Sequence, residues 1–120
     1  MMAWIFIAAA LLPFIATVSA KAGGRQFDNH EPRAWLEQQT GWRRRAHAAQ
    51  QNTFEALPIF YAALLYALYN GADPQLLMQW AYVWLALRLA YLWIYIKDWA
   101  SVRSLVWATA LVVNLYLLFL

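Results

Sequence analysis

Four long apolar stretches, separated by polar connections, dominate the chain. They span residues 3–20, 46–70, 75–97 and 102–120. Each has about 18 to 25 residues, long enough for an α-helix to cross a hydrocarbon layer about 30 Å thick. Backbone groups in lipid must be hydrogen-bonded within their own segment, so these stretches are expected to be helices. The pattern predicts an all-α, integral membrane bundle of four transmembrane helices with up-down topology, in which residues 1–120 form a single domain.

The first apolar stretch has an alternative interpretation as a cleaved secretion signal. It ends in Val18-Ser19-Ala20, which resembles a signal-peptidase site. No Lys or Arg precedes the apolar run, so the basic region that begins a signal peptide is missing. We therefore predict that this stretch is retained as the first helix of the bundle.

Basic residues are distributed unevenly among the three connections. The connection at residues 70–74 has none, whereas Lys97 and Arg103 flank the last connection. Because loops rich in Lys and Arg usually face the cytoplasm, we expect the first and third loops there and both termini on the opposite side. Within the first connection, Pro32 is well placed to begin a short helical turn. The basic residues of that connection are Lys21, Arg25, Arg33, Arg43, Arg44 and Arg45.

The composition excludes several classes of protein. The chain is 64% hydrophobic and only 12% charged, too apolar for a soluble domain of 120 residues. It has no cysteine, which excludes disulfides and thiolate metal sites. His30 and His47 lack acidic companions at metal-ligand spacing, so no metal site is predicted. The arginines at 43–45 directly precede a predicted membrane helix, which indicates an anchor for topology and lipid headgroups, and we expect no nucleic-acid partner.

Two opposite charges lie deep within predicted membrane helices. Glu55 follows Arg45 by ten residues, and Arg88 precedes Lys97 by nine. At 1.5 Å per residue, both lie roughly 14 Å below the same membrane surface. A charge at that depth costs several kcal/mol unless it is paired, and intramembrane ionisable residues commonly mark functional sites. Equal depth on consecutive helices predicts that Glu55 and Arg88 are partners.

Further polar side chains extend this constellation. Asn52 lies three residues before Glu55 on one helix face, and Arg88, Tyr91 and Tyr95 recur at spacings of three and four on the next helix. The charge pair alone is equally compatible with a purely structural role, in which it holds two helices in register. The added amide and phenols favour a pocket for an anionic, hydrogen-bonding ligand that opens toward the basic face. Two further residues, Arg103 and Ser104, are expected at its mouth, and Asn114 is expected to hydrogen-bond to another helix or subunit.

Three segments resemble a known family of membrane proteins. Residues 49–60, AQQNTFEALPIF, resemble the second-helix signature of the MAPEG family (membrane-associated proteins in eicosanoid and glutathione metabolism), approximately R-A-x-x-N-x-x-E-x-x-P-x-F. The spacing of Arg88, Tyr91 and Tyr95, followed by Arg103 and Ser104, is similar to the family's third and fourth helices. Residues 27–35, FDNHEPRAW, are similar to bacterial members. The resemblance covers nearly the whole chain, including its length and helix count.

The resemblance implies a homotrimer that binds glutathione as a co-substrate between subunits, near the cytosolic face. It further implies a hydrophobic small molecule or lipid as the second substrate, and a location in the bacterial inner membrane. Arg103 matches the position at which catalytic members hold the glutathione thiolate. The candidate glutathione-binding residues are Gln51, Asn52, Glu55, Arg88, Tyr91, Tyr95 and Ser104.

One departure from the family pattern bears on activity. The Arg that family members carry four residues before the Asn, where it grips a glutathione carboxylate, is Ala48 here. Arg44 and Arg45 lie one turn or less upstream and are candidate substitutes. The leading hypothesis is a glutathione-dependent transferase or peroxidase that acts on hydrophobic electrophiles or lipid hydroperoxides. The alternatives are a non-catalytic lipid-binding scaffold of the same fold, which Ala48 favours, and a small transport or assembly subunit.

Overall fold

The computed structural model describes residues 2–120, which form helices and no strands. Four long helices and one short helix follow one another along the chain. They are α1 (Met2–Lys21), α2 (Pro32–Glu37), α3 (Gly41–Tyr69), α4 (Pro74–Ile96) and α5 (Ala100–Leu117). The prediction of an all-α bundle is confirmed, and the predicted short helical turn at Pro32 is present as α2.

Tight connections join α3 to α4 and α4 to α5. The backbone leaves α3 through Gly71, whose φ of 78° lies in the left-handed region that glycine tolerates. The side chain of Asp73 then accepts a hydrogen bond from the backbone N–H of Gln75, and Pro74 occupies the first turn of α4. Such short connections make consecutive long helices antiparallel neighbours.

The helix α2 packs against the end of the bundle. Its buried side chains, Trp35 and Leu36, form one cluster with Ala20 of α1 and Ala46 of α3. The indole N–H of Trp35 donates to the backbone carbonyl of Arg25 at 3.3 Å. The first connection is therefore folded onto the helix ends that it joins.

Two of the three consecutive arginines hold helix ends together. Arg43 donates to the carbonyl of Ala20 at 2.8 Å, and Arg45 donates to the carbonyl of Ile96 at 3.0 Å. These carbonyls lie in the last turns of α1 and α4, where unpaired backbone oxygens and the helix dipole favour a cation. The interpretation of this run as an anchor for lipid headgroups was therefore incomplete, because two of its members join α3 to its neighbours.

One apolar core is shared by the four long helices. At its centre the rings of Phe60 and Trp84 stack with centroids 3.8 Å apart, which joins α3 to α4. The hydroxyl of Tyr61 donates to the carbonyl of Phe6 at 2.8 Å, which joins α3 to α1. Ile5 and Ala9 of α1 are fully buried in the same core. The first helix is thus a structural part of the bundle.

Large apolar side chains also cover the outside of the molecule. Leu105, Val112 and Val18 are among many that are more than half exposed. By length and composition, α1, α4 and α5 are apolar enough to cross a membrane. The 29 residues of α3 are less apolar because its first half carries the basic and amide residues, although its length exceeds what a hydrocarbon layer requires. An all-round apolar exterior is typical of helices that contact lipid.

Candidate functional site

Arg88 is the most deeply buried charged residue of the predicted constellation, with 3% of its surface exposed. Its terminal nitrogen Nη2 donates to Asn52 Oδ1 at 2.8 Å and to Thr53 Oγ1 at 3.2 Å. Thr53 in turn donates to the carbonyl of Ala49. Arg88 is therefore held against α3 by neutral acceptors.

The predicted ion pair between Glu55 and Arg88 was wrong for this chain. Within residues 2–120 no ion pair joins them, and Glu55 is exposed on the surface of α3. The reason is the reach of the arginine side chain, which meets α3 at Asn52, nearly one turn before Glu55. Both charges nevertheless line one cavity.

Cations and phenols form a continuous stack from the membrane interior to the start of α5. The guanidinium carbon of Arg88 lies 4.3 Å from the ring centroid of Tyr91. Tyr91 meets Tyr95 edge to face with centroids 5.6 Å apart, and the guanidinium carbon of Arg103 lies 4.5 Å from the centroid of Tyr95. Each contact is favourable, because a cation is attracted to a ring face and phenyl rings prefer edge-to-face packing.

This stack forms one wall of an outer cleft of about 470 Å³. The volume lies within the range of about 300 to 1,000 Å³ that is usual for small-molecule sites. Asn52 contributes from α3, the two tyrosines from α4, and the remaining residues from the first half of α5. The lining residues are Asn52, Tyr91, Tyr95, Arg103, Ser104, Trp107 and Ala108.

A second, inner cavity of about 160 Å³ adjoins the outer cleft, with Asn52 and Trp107 lining both. Asn114 lies in its wall, 3% exposed, and its amide oxygen has no hydrogen-bond partner among residues 2–120. The predicted hydrogen bond from Asn114 to another helix is therefore not formed within the described chain. The cavity is lined by Asn52, Glu55, Ala56, Ile59, Trp84, Arg88, Trp107, Ala110, Leu111 and Asn114.

Gln51 lies apart from the other candidate residues. Its side-chain amide is 3.4 Å from His47 Nε2, and both residues line a cleft against α1 and α2 that also contains Lys21 and Arg33. Gln51 directly precedes Asn52 on the helix, and a step of one residue rotates the side chain by about 100° around the axis. Within a single chain, Gln51 and Asn52 therefore face different clefts.

The outer cleft is built to receive an anion with hydrogen-bonding groups. Arg103 presents one face to Tyr95, which leaves the N–H groups at the edge of its guanidinium free to donate. It lies in the first turn of α5, where the helix dipole also favours negative charge. The Ser104 hydroxyl and the Asn52 amide add groups that both donate and accept.

Sequence reasoning missed two residues that shape this site. Thr53 binds Arg88, but a threonine adjacent to a polar stripe carries no distinctive signal. Trp107 lines both the outer cleft and the inner cavity. Its spacing of four from Arg103 and three from Ser104 gives it the same helix face, and this spacing could have identified it.

Comparison with known proteins supports the resemblance noted in the sequence. The model of the MAPEG family matches residues 1–120, the whole chain. No curated protein and no solved structure matches the chain.

Proposed function

Because the chain belongs to the MAPEG family, a family of helical membrane proteins, we propose that it is a glutathione-dependent transferase or peroxidase. Its substrates would be hydrophobic electrophiles or lipid hydroperoxides that enter from the bilayer. The observation that carries the proposal is the outer cleft, in which Arg103 stacks on Tyr95 beside Ser104, Tyr91 and Asn52.

The residues of the cleft fit a zwitterionic tripeptide with a thiol. Asn52 and Ser104 offer hydrogen bonds to peptide groups, and Glu55, which lines the adjoining inner cavity, offers a carboxylate to the ligand's amino group. Tyr91 and Tyr95 supply ring faces and hydroxyls along the wall. Arg88, held by Asn52, keeps that amide oriented and contributes positive charge.

Arg103 is the candidate catalytic residue. Bound glutathione supplies a thiolate, which displaces a leaving group from an electrophile or reduces a hydroperoxide. A neighbouring cation lowers the pKa of a thiol and raises its thiolate fraction at neutral pH. Arg103 would hold the negative charge on sulfur at the mouth of the cleft, between the aqueous phase and the apolar helices.

The surroundings of Glu55 support assembly into a homotrimer. In one chain this carboxylate is exposed at a depth of roughly 14 Å, where a charge facing lipid costs about 2.5–3.5 kcal/mol. A neighbouring subunit would cover it. The same packing would bring a second polar cleft, with Gln51, Lys21 and Arg33, toward a neighbour's site.

We therefore expect native mass spectrometry from mild detergent to show a trimer. The trimer should persist when the detergent is diluted to just above its critical concentration, because helix association in membranes rests on close packing and interhelical hydrogen bonds. A monomer under the mildest conditions would contradict the proposal.

Localisation follows from the same proposal. We propose that the protein lies in a bacterial inner membrane with the first and third loops in the cytoplasm, where glutathione would be available to the cleft. The basic residues of those loops support this orientation.

Ala48 supports a second candidate function, a lipid-binding scaffold without catalysis. Two arginines could replace the missing family arginine as the residue that binds a glutathione carboxylate. One of them, Arg45, already donates to the carbonyl of Ile96. Arg44 is exposed, and it precedes Ala48 by four residues on the same helix face. Arg44 is therefore the better substitute, although it lies farther from Asn52 than the family arginine would.

Restoring an arginine at position 48 tests how much that side chain contributes to glutathione affinity. Ala48→Arg is expected to tighten glutathione binding by about 10- to 100-fold, since a charge-assisted hydrogen bond contributes about 1.5–3 kcal/mol. Isothermal titration calorimetry would measure the change, and Ala48→Met serves as a control that adds an unbranched, uncharged side chain. Unchanged affinity in Ala48→Arg would show that Arg44 or another group already holds the carboxylate, or that no glutathione site exists.

The function itself is tested with detergent-purified protein, glutathione and either a chromogenic aryl halide or an organic hydroperoxide. Turnover supports the enzyme, and glutathione binding without turnover supports the scaffold. Absence of binding at millimolar glutathione, in both wild type and Ala48→Arg, would overturn the transferase and the peroxidase alike, in favour of a lipid scaffold that does not use glutathione or of an assembly subunit.

A further inference from the structure

An apolar groove lies on the outside of the bundle, at the end that carries the basic residues. It has a volume of about 450 Å³ and lies between the last two turns of α1, the first turn of α3 and the second half of α4. Six of its seven lining residues are apolar, among them Trp42, Leu89 and Trp93. The seventh is Ser19, whose hydroxyl already donates to the carbonyl of Ile15 at 2.8 Å. The groove therefore presents hydrocarbon and aromatic surface to a ligand.

The groove extends from headgroup level into the hydrocarbon layer. Lys97 follows the last residue of α4, and Leu89 lies eight residues before it. At 1.5 Å per residue, the groove reaches about 12 Å below the basic surface, less than half of a hydrocarbon layer about 30 Å thick. Trp42 and Trp93 lie at its upper end, where indole rings are common in membrane proteins. These dimensions match the upper part of one acyl chain in the leaflet on that side.

In a membrane this groove is filled by lipid. Its sides are open to the surroundings, since Ile15 is 45% exposed and Leu89 is 47% exposed. Empty space beside packed side chains forfeits dispersion contacts, so a chain that enters the groove is favoured over a void. Hydrocarbon contacts are similar for all lipid chains, and the apolar surface therefore does not select among lipids. The headgroup decides which lipid is held.

Three cations surround the upper end of the groove, and each contacts a residue that lines it. Lys97 Nζ lies 4.6 Å from the ring centroid of Trp93, and the guanidinium carbon of Arg43 lies 4.4 Å from that of Trp42. Arg45 donates to the carbonyl of the last residue of α4, which also lines the groove. Two helices thus place three positive charges around one apolar slot.

These cations remain available to an anion. Arg43 uses Nη1 for the carbonyl of Ala20, and Arg45 uses Nε for the end of α4, so each keeps several of its five N–H groups. Within residues 2–120 no carboxylate forms an ion pair with Lys97 or with either arginine, and this includes the neighbouring Asp98. Such a surplus of positive charge between membrane helices attracts anionic headgroups and repels the ammonium group of a choline headgroup.

We propose that this groove binds one anionic phospholipid per protomer. An acyl chain would lie in the groove, and the phosphate would lie between Lys97, Arg43 and Arg45. The indole N–H groups of Trp42 and Trp93 can donate to oxygens of the headgroup or of the ester linkages. The bound lipid would join the basic ends of α1, α3 and α4.

This site is separate from the surfaces assigned to glutathione and to the trimer. Leu89 and Trp93 of α4 line the groove, whereas Tyr91 and Tyr95 line the outer cleft, and no residue of 2–120 lines both. The groove likewise shares no lining residue with the second polar cleft, which faces the neighbour in the proposed trimer. The groove would therefore stay open to lipid after assembly, and the inference does not depend on the proposed function.

Native mass spectrometry with two lipids of identical chains tests the site. Dioleoyl phosphatidylglycerol is anionic, whereas dioleoyl phosphatidylcholine is zwitterionic. Each is titrated into protein in mild detergent, and the mass of the complex gives the number of lipids bound per protomer and their dissociation constants. The wild type should bind one phosphatidylglycerol per protomer about tenfold or more tightly than phosphatidylcholine, because three cations face the headgroup and each contributes about fivefold.

Ser19→Phe tests whether the chain lies in the groove. The added ring would occupy the groove, while the hydroxyl that it replaces bonds within its own helix. We expect phosphatidylglycerol affinity to fall about tenfold or more. Val18→Phe is the matched control, since Val18 is the neighbouring residue of α1, is 66% exposed and does not line the groove. It should bind the lipid as the wild type does.

Lys97→Gln tests the headgroup contact without changing the shape of the groove. It should weaken phosphatidylglycerol binding about fivefold and leave phosphatidylcholine binding unchanged. Arg25→Gln makes the same change in net charge, but Arg25 is exposed and lines a polar pocket of the first connection. That variant should keep both affinities. The comparison remains valid even if thermal melts show that Ser19→Phe does not fold.

Four results would overturn the proposal. Equal affinities of the wild type for the two lipids would show that the headgroup is not recognised, and absence of bound phosphatidylglycerol would show that no lipid is held. Unchanged binding in a folded Ser19→Phe would place the lipid elsewhere. Equal losses in Lys97→Gln and Arg25→Gln would indicate a general effect of net charge.

The outcome is independent of glutathione. If the protein neither binds nor turns over glutathione but prefers phosphatidylglycerol as described, the proposed function fails and the lipid site stands. If turnover occurs and the two lipids bind equally, the lipid site fails and the proposed function stands.

Discussion

Replacing Arg103 with alanine is expected to lower kcat for glutathione-dependent turnover by about 10²–10³-fold, the usual effect of removing one group that stabilises a reacting anion. Glutathione affinity should fall much less, because Asn52, Glu55 and the tyrosines would retain most contacts with the tripeptide. A contact used mainly by the activated thiolate acts on the rate of the chemical step. Steady-state kinetics combined with calorimetric binding would separate the two effects.

The pH dependence provides an independent measurement of the same role. Arg103 would hold the pKa of the bound thiol below the ordinary value of about 8.5 for a cysteine thiol, so thiolate should form at lower pH in the wild type than in Arg103→Ala. Ultraviolet thiolate absorbance during a pH titration reports this directly. The activity of Arg103→Ala should accordingly recover as pH rises, whereas that of the wild type should change little above neutrality.

The control for this experiment is Lys97→Ala, which removes a cation from the connection that directly precedes α5. Lys97 stacks on Trp93 and does not line the outer cleft, so its loss should leave kcat near the wild-type value. An equal decrease in both variants would indicate a general electrostatic effect. Unchanged kcat in Arg103→Ala would exclude Arg103 as the thiolate-stabilising residue.

Asn52→Leu is expected to lower the free energy of unfolding by about 1.5–3 kcal/mol, the usual contribution of a hydrogen bond to a charged group. The change leaves Arg88 buried with Thr53 as its remaining acceptor. Adding Arg88→Met should recover part of the loss, because it removes the buried charge. Thermal melts in detergent of both single variants and the double variant would give the coupling energy between them.

Glu55→Gln tests whether Glu55 stabilises the buried Arg88 in the way that Asn52 does. Since Glu55 forms no ion pair with Arg88, its neutralisation should not lower the free energy of unfolding, and removal of a charge from that membrane depth should raise it. A loss as large as that of Asn52→Leu, with rescue by Arg88→Met, would show that the two charges do pair in the assembled protein. Purely additive effects of Asn52→Leu and Arg88→Met would exclude the hydrogen bond as a stabilising contact.

Much of the fold could be predicted from the sequence because its signals are local. The third apolar stretch, 75–97, corresponds to α4 at Pro74–Ile96, since Asp73 and Pro74 form a standard helix start. The start of α3 was less predictable. It begins at Gly41, five residues before the apolar stretch, because Arg43 and Arg45 find carbonyl partners on other helices.

The membership of the outer cleft was also accessible from sequence. A spacing of four puts the cleft residues Tyr91 and Tyr95 on one face of α4, and the short loop after α4 brings Arg103 and Ser104 back to that face. Helical periodicity and a tight turn are sufficient for this arrangement. The family signature then suggested which ligand the face would bind.

The partner of Arg88 required the tertiary structure. Counting residues gives the depth of a side chain along the membrane normal, but it gives neither the rotation of each helix about its axis nor the reach of a long side chain. Packing of α3 against α4 decides both, and it brings Asn52 and Thr53 to Arg88 while Glu55 stays exposed. Likewise, a polar residue such as Gln51 can face either side of α3 until neighbouring helices are present.

The sequence by itself therefore determined the helices, their order, the apolar exterior and the face that carries the polar residues, since all of these depend on composition and on periodicity over a few residues. Only the tertiary structure decided which polar atoms meet. It joined Arg88 to Asn52, separated Gln51 from the outer cleft, and placed Asn114 in the wall of the same cavity as Arg88. The physical reason is that hydrogen bonds form over about 3 Å, a distance set by helix rotation and packing rather than by spacing along the chain.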